Sequence, residues 1–187
     1  GKYLGPAFID VHTHGADGAD AMDGSEEALR KISKYLVQEG TANFLATTLT
    51  SSKEILKDIL KVVANLQNKN IEGANIFGVH MEGPYFSVEY KGAQNDKYMK
   101  PAGIKELEEY LSVKEGLVKL FSISPHNQEN LEAIKFLVDK GVIVSVGHSG
   151  ASYENVMKAV DYGLSHATHT YNGMKGFTHR EPGVVGA

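Results

Sequence analysis

The chain has 187 residues, 42% of them hydrophobic, enough for one buried core in a single domain covering 1–187. A net charge of −4 argues against a nucleic-acid binder, which carries a basic patch, and the absence of cysteine excludes disulfides and thiolate metal sites. The N-terminal stretch has no signal-peptide pattern, and no run of ~18 apolar residues suggests a membrane span, so a cytoplasmic protein with neither membrane nor nucleic acid as partner is expected.

In chain order, residues 7–14 read as a strand that starts apolar and ends in His12 and His14. A Gly/Ala/Asp-rich loop, 16–24, follows. Ser25 looks like a helix N-cap, with Leu29, Ile32, Leu36 and Val37 at helical spacing up to Gly40. A β-branched run at 43–49 predicts a second strand. Ser51 or Ser52 then caps a helix whose apolar side holds Ile55, Leu56, Ile59, Val62, Val63 and Leu66. The third strand, 76–82, ends in His80 and Glu82 before Gly83-Pro84. A long loop, 85–100, leads to a helix expected to begin at Pro101. The fourth strand, 117–124, stops at Pro125, and Asn127 or Asn130 caps the next helix. The fifth strand, 142–148, ends in His148. A helix at 151–162, a less apolar strand at 164–170 and a glycine-rich tail complete the chain.

Apolar strands alternating with amphipathic helices predict an α/β fold with a parallel sheet covered on both faces. A closed (β/α)8 barrel needs eight strands and typically ~250 residues, whereas about six units are present. A doubly wound open sheet accommodates six, but no G-x-G-x-x-G follows the first strand.

Side chains two apart on a strand share a face, so His12 pairs with His14, and His80 with Glu82. His148 ends the fifth strand, and His166 and His169 lie in the sixth. If the strands are parallel, these ends share one rim. Imidazoles with one carboxylate suit zinc or another first-row divalent ion, which lowers the pKa of bound water towards ~7 and polarises a carbonyl. Each residue also has a structural reading. Glu82 could cap a helix, His148 could be a hydrogen-bonded core histidine, and Arg180 could be a surface ion-pair partner. His166 and His169 are three apart, and spacing alone does not choose between them. His126 reads as a loop hydrogen-bonding residue. Asp10 and Asp17 are candidate bases, although Asp10 could instead orient the histidines.

The segments Gly5-Pro-Ala-Phe-Ile-Asp-Val-His12-Thr-His14-Gly15, His80-Met-Glu82-Gly-Pro, Lys91-Gly-Ala-Gln94-Asn95, Gly147-His148-Ser149, His169-Thr-Tyr-Asn172-Gly-Met174 and Arg180-Glu-Pro-Gly183 run in order across nearly the whole chain. Together they resemble the amidohydrolase superfamily, and within it the branch that removes acetyl groups from amino-sugar phosphates. The resemblance implies a TIM (β/α)8-type barrel and hydrolysis of N-acetylglucosamine 6-phosphate to glucosamine 6-phosphate and acetate. It matches Glu82, His148 and His169 to the main metal ligands, and His12 and His14 to a pair that holds a second metal in some members. The ion would be zinc, iron, cobalt or manganese. Ala93, Gln94, Asn172, Gly173 and Arg180 match positions that contact the sugar phosphate, with Arg180 the candidate to reach across a homodimer interface. Gln94 stands where some members carry His, and Gly173 where Ala is more usual. The catalytic Asp of the family belongs to the end of an eighth strand, so it is expected beyond residue 187. The family's small β-sandwich domain is likewise expected outside this sequence, which reads as a fragment. The alternatives are another amidohydrolase acting on a cyclic amide, or a catalytically inactive metal-binding fragment.

Overall fold

The computed structural model describes residues 4–67, 69 and 71–187. Strand β1 is Phe8–Thr13, followed by a small hairpin of β2, Gly15–Ala16, and β3, Ala19–Asp20. The remaining elements alternate: α1 (Glu26–Gln38), β4 (Thr41–Thr47), α2 (Lys53–Leu66), β5 (Asn75–Glu82), α3 (Ile104–Leu111), β6 (Val118–Ile123), α4 (Gln128–Asp139), β7 (Ile143–Val146), α5 (Tyr153–Asp161), β8 (His166–Ala167) and the single turn α6 (Gly183–Gly186).

Four of these helices begin at a side chain that accepts a backbone N–H three residues on. Ser25 accepts from Ala28, Ser52 from Ile55, Asn127 from Asn130 and Ser152 from Asn155. Each such cap contributes about 1 kcal/mol. Of the alternatives left open by the sequence, the caps are therefore Ser52 and Asn127. Pro101 does not begin α3. The Asn130 side chain accepts the Ala102 N–H at 2.8 Å, and Gly103 is an extended N-cap, so the helix starts at Ile104. The loop expected at 16–24 contains the hairpin and a 3-10 turn, Ala21–Asp23, closed by Asp20 and Asp23 capping each other's backbone. The sixth long strand shrinks to two residues because His169, two residues past β8, turns left-handed at φ 33°.

The six long-range strands form one parallel sheet in the order β1-β4-β5-β6-β7-β8. Sequential order without reversal is that of a barrel wall and not of a doubly wound sheet. The wall is curled: the rings of His12, on the first strand, and His169, past the last, lie 6.0 Å apart edge to face. Phe44, Ile76, Phe121 and Val144 from the strands and Leu29, Leu56, Leu107, Ile134 and Leu137 from the helices share one apolar core. His80, Glu82, Ser122 and Ser145 are buried as well, but hydrogen-bond to polar side chains, His80 directly to Ser122. The helices thus close one face of the sheet with apolar packing and leave polar chemistry to the concave face.

Candidate metal centre

Glu82, the last residue of β5, is 2% exposed. Its Oε1 lies 3.3 Å from His148 Nε2 and 3.2 Å from His169 Nε2, and those two nitrogens are 3.0 Å apart. Both histidines follow short strands in left-handed conformations, His148 at φ 44° and His169 at φ 33°. Such backbone costs a non-glycine residue about 1–3 kcal/mol and concentrates at functional sites. Here it swings both imidazoles onto the one carboxylate.

The outer nitrogens settle which inner atoms carry lone pairs. His148 Nδ1 meets the Tyr90 carbonyl at 2.9 Å, and His169 Nδ1 meets the Asn172 carbonyl at 2.8 Å. A carbonyl only accepts, so each Nδ1 donates, and each neutral imidazole turns a bare Nε2 inwards. Two nitrogen lone pairs and a carboxylate oxygen then face one another. They repel unless a proton or a cation lies among them. Protons can serve: contact with Glu82 raises the His169 imidazole above the ordinary histidine range against the opposing effect of burial. Burial alone would push Glu82 up, but its contacts with His14, His148 and His169 outweigh that and hold the carboxyl far below the ordinary range. A divalent ion fits the same three donors. Donors on a tetrahedral ion with bonds of ~2.0–2.1 Å stand roughly 3.3 Å apart, close to the spacings here.

A second group shares the carboxylate. His14 Nε2 is 3.2 Å from Glu82 Oε2, with Nδ1 against the Thr47 carbonyl at 3.2 Å, and His12 Nε2 is 3.8 Å from Oε1. Contact with Glu82 raises His14, whereas burial dominates at His12 and lowers it. Both triads, His12–His14–Glu82 and Glu82–His148–His169, bring their ligand atoms within 4.8 Å.

Other candidates take different positions. His80 lies beneath His12, its Nδ1 3.2 Å from His12 Nδ1 and 3.1 Å from the Val11 carbonyl. Its Nε2 meets the Ser122 hydroxyl at 2.7 Å, and burial lowers its pKa to about 3, so it stays neutral. Ser122 continues to Thr168 at 2.6 Å and Thr168 to Ser145 at 2.7 Å. Sequence reasoning overlooked this hydroxyl chain; serines and threonines set among apolar strand residues were its visible trace. Asp10 accepts the His12 backbone N–H at 3.0 Å, an orienting contact, and Asp17 pairs with Lys31 at 3.5 Å. His166 is exposed and its ring meets the Ser165 hydroxyl at 3.2 Å, and His126 bonds the Ser124 hydroxyl at 2.8 Å.

Of the residues matched to the sugar phosphate, Gln94 is 5% exposed and bonded to Glu82 at 2.8 Å. Ala93 and Asn172 are exposed, and Asn172 and Gly173 form the turn after His169. Arg180 is exposed in a separate concavity of about 180 Å³ lined also by Ser152, Lys175 and Glu181.

Among relatives, N-acetylglucosamine-6-phosphate deacetylase of Vibrio furnissii is 38% identical over 184 residues, covering 98% of this chain and 46% of the relative. N-acetylgalactosamine-6-phosphate deacetylase of Escherichia coli O157:H7 is 36% identical, over 100% of this chain and 49% of the relative. The crystal structure of N-acetyl-D-glucosamine-6-phosphate deacetylase from Mycobacterium smegmatis superposes with a TM-score of 0.91 at 29% identity, over 96% of this chain and 50% of that one. The chain thus spans about half the length of the relatives it matches. The profile of the Amidohydrolase family matches residues 3–185, and with the barrel wall and its rim of histidines and one carboxylate, it follows that the chain belongs to the amidohydrolase family.

Proposed function

We propose that this chain carries the metal-holding part of an amidohydrolase that cleaves N-acetylglucosamine 6-phosphate to glucosamine 6-phosphate and acetate. The observation that carries the reading is the convergence of Glu82, His148 and His169 as three acceptors on the concave rim. The deacetylase names of the relatives point to the substrate class.

The principal ion would be held by Glu82, His148 and His169, and His12 and His14 would offer a second position beside it. Zinc is the proposed ion, with iron, cobalt or manganese compatible with the same donors. When bound, the ion supplies Lewis acidity, polarising the amide carbonyl and easing deprotonation of water. The chain's own residues do the rest of what is assigned here. The Tyr90 and Asn172 carbonyls fix the His148 and His169 rings. Arg180, always charged and suited to bidentate phosphate contact, anchors the 6-phosphate together with the Asn172-Gly173 backbone, and Ala93 and Gln94 stand at further positions matched to the sugar phosphate. Such remote anchoring holds the amide in place for reaction. The general base implied by the resemblance is an Asp beyond residue 187. A cytoplasmic homodimer is part of the same reading. No helix among the described residues is long and apolar enough to cross a membrane.

The 4-epimer, N-acetylgalactosamine 6-phosphate, is the second reading, favoured by the Escherichia coli relative. Acetate release by the intact protein from both sugar phosphates and from unphosphorylated N-acetylglucosamine tests both. Turnover of one 6-phosphate well above the free sugar supports the proposal and names the epimer. Equal turnover with and without phosphate contradicts the anchoring role of Arg180.

A further inference from the structure

Gln94 is placed in a way that simple substrate contact does not explain. It lies in the loop between β5 and α3, 5% exposed. Its Oε1 accepts the backbone N–H of Thr50 at 2.7 Å, and its Nε2 donates to Glu82 Oε2 at 2.8 Å. Its own backbone N–H donates to the Lys91 carbonyl at 2.9 Å. The amide orientation is forced, because a backbone N–H needs an acceptor and a carboxylate needs a donor. Both ends of the side chain are thus committed before any ligand arrives. The relay ties the end of β5 to the loop after β4.

The consequence falls on the carboxylate. Glu82 has two oxygens and several claimants: Oε1 faces His148 and His169, while Oε2 faces His14 and Gln94. A carboxylate free to rotate would exchange these oxygens and lose aim. The Gln94 amide pins Oε2 and so leaves Oε1 directed at the two imidazoles.

We propose that Gln94 is a positioning residue for Glu82, acting on metal affinity through the Thr50–Gln94–Glu82 relay. This rests on the reading of Glu82 as a metal ligand. The chemistry predicts which replacements preserve it. Histidine offers one ring nitrogen to accept from Thr50 and one N–H to donate to Glu82, so Gln94→His keeps both contacts. Glutamate has almost the same shape but only accepts, so Gln94→Glu sets a second carboxylate against Glu82. Gln94→Leu removes both contacts.

The test is zinc affinity of the full chain, measured by competition with a chromophoric chelator. The visible spectrum of the cobalt-substituted protein and the thermal midpoint are recorded alongside. Losing a residue that orients a metal ligand costs about 10–100-fold in affinity. Gln94→Glu and Gln94→Leu are expected to weaken zinc by that factor and to shift the cobalt bands, and Gln94→His to restore both. If Gln94→Leu fails to fold, the near-isosteric Gln94→Glu against Gln94→His decides. Native zinc affinity and native cobalt bands in Gln94→Glu overturn the proposal and leave Gln94 a substrate contact. A Glu82→Gln control separates the two ideas: if it too binds zinc as the native chain does, the metal centre itself is wrong.

Discussion

Two polar clusters lie at the same end of the sheet, and they differ in how their hydrogen bonds balance. In the first, the Ser87 hydroxyl meets Ser124 at 2.9 Å, Ser124 donates to Ser149 at 2.8 Å, and the Gly150 and Ala151 N–H groups donate to Ser87 and Ser149. His126 meets Ser124 from the side. Every contact there can match a donor to an acceptor, and all three serines are buried. In the second, Glu82, His148 and His169 turn acceptors towards one another. A network of matched donors and acceptors rigidifies a fold; acceptors turned towards one another at the end of a barrel strand suit a cation. The serines also serve the histidines, since the Ser87 N–H donates to the His148 carbonyl at 2.9 Å.

The contrast breaks most sharply at Glu82. Glu82→Gln removes the charge and keeps the shape, and is expected to lower zinc affinity by more than about 100-fold, beyond what an orienting partner costs. Chelator competition measures this, with circular dichroism showing the fold intact. Next is Ser124→Ala in the satisfied cluster. It leaves buried partners unpaired and should cost about 2 kcal/mol in urea unfolding, with zinc affinity within about threefold of native. A large loss of zinc there would erase the distinction between the clusters.

Away from both, Glu106 tests a conventional half-buried acid. Burial pushes its carboxyl up, but Lys100 and the hydroxyls of Tyr110 and Tyr85 outweigh that and hold it below the ordinary glutamate range. A lowered folded pKa gives stability that is present above the unfolded value and lost as pH falls through the folded one. Glu106→Gln should therefore unfold with a flatter pH dependence below about pH 5 and lose roughly 1 kcal/mol at neutral pH. An unchanged acid profile contradicts this. The smallest effect is expected at Gly173, which sits at φ 59° with a Cβ position 3.2 Å from His148 Nδ1. Gly173→Ala should cost about 1 kcal/mol in thermal unfolding and shift zinc affinity only slightly.

The repeat of strand and helix was legible because it rests on local features: apolar runs, and serine or asparagine caps that the structure uses. His12 and His14, and His80 with Glu82, were legible as pairs because a strand has period two. That logic does not extend to His169, which lies past β8, where a left-handed turn replaces strand geometry. Period two therefore could not choose it over His166; the family resemblance could. The partners of Gln94 were not legible at all. Its contacts with Thr50 and Glu82 depend on how the loop after β5 folds back over the rim, and no periodicity encodes that. The Ser122–Thr168–Ser145 chain was hidden for the same reason: its members come from three strand regions far apart in sequence.

Equilibrium dialysis against zinc, with metal analysis of the native chain, His148→Ala, His169→Ala and His126→Ala, tests the central claim most directly. The native chain and His126→Ala should retain zinc, while His148→Ala and His169→Ala should each lose the principal ion. Full retention by either of those two, or loss only in His126→Ala, would contradict a centre built on Glu82, His148 and His169.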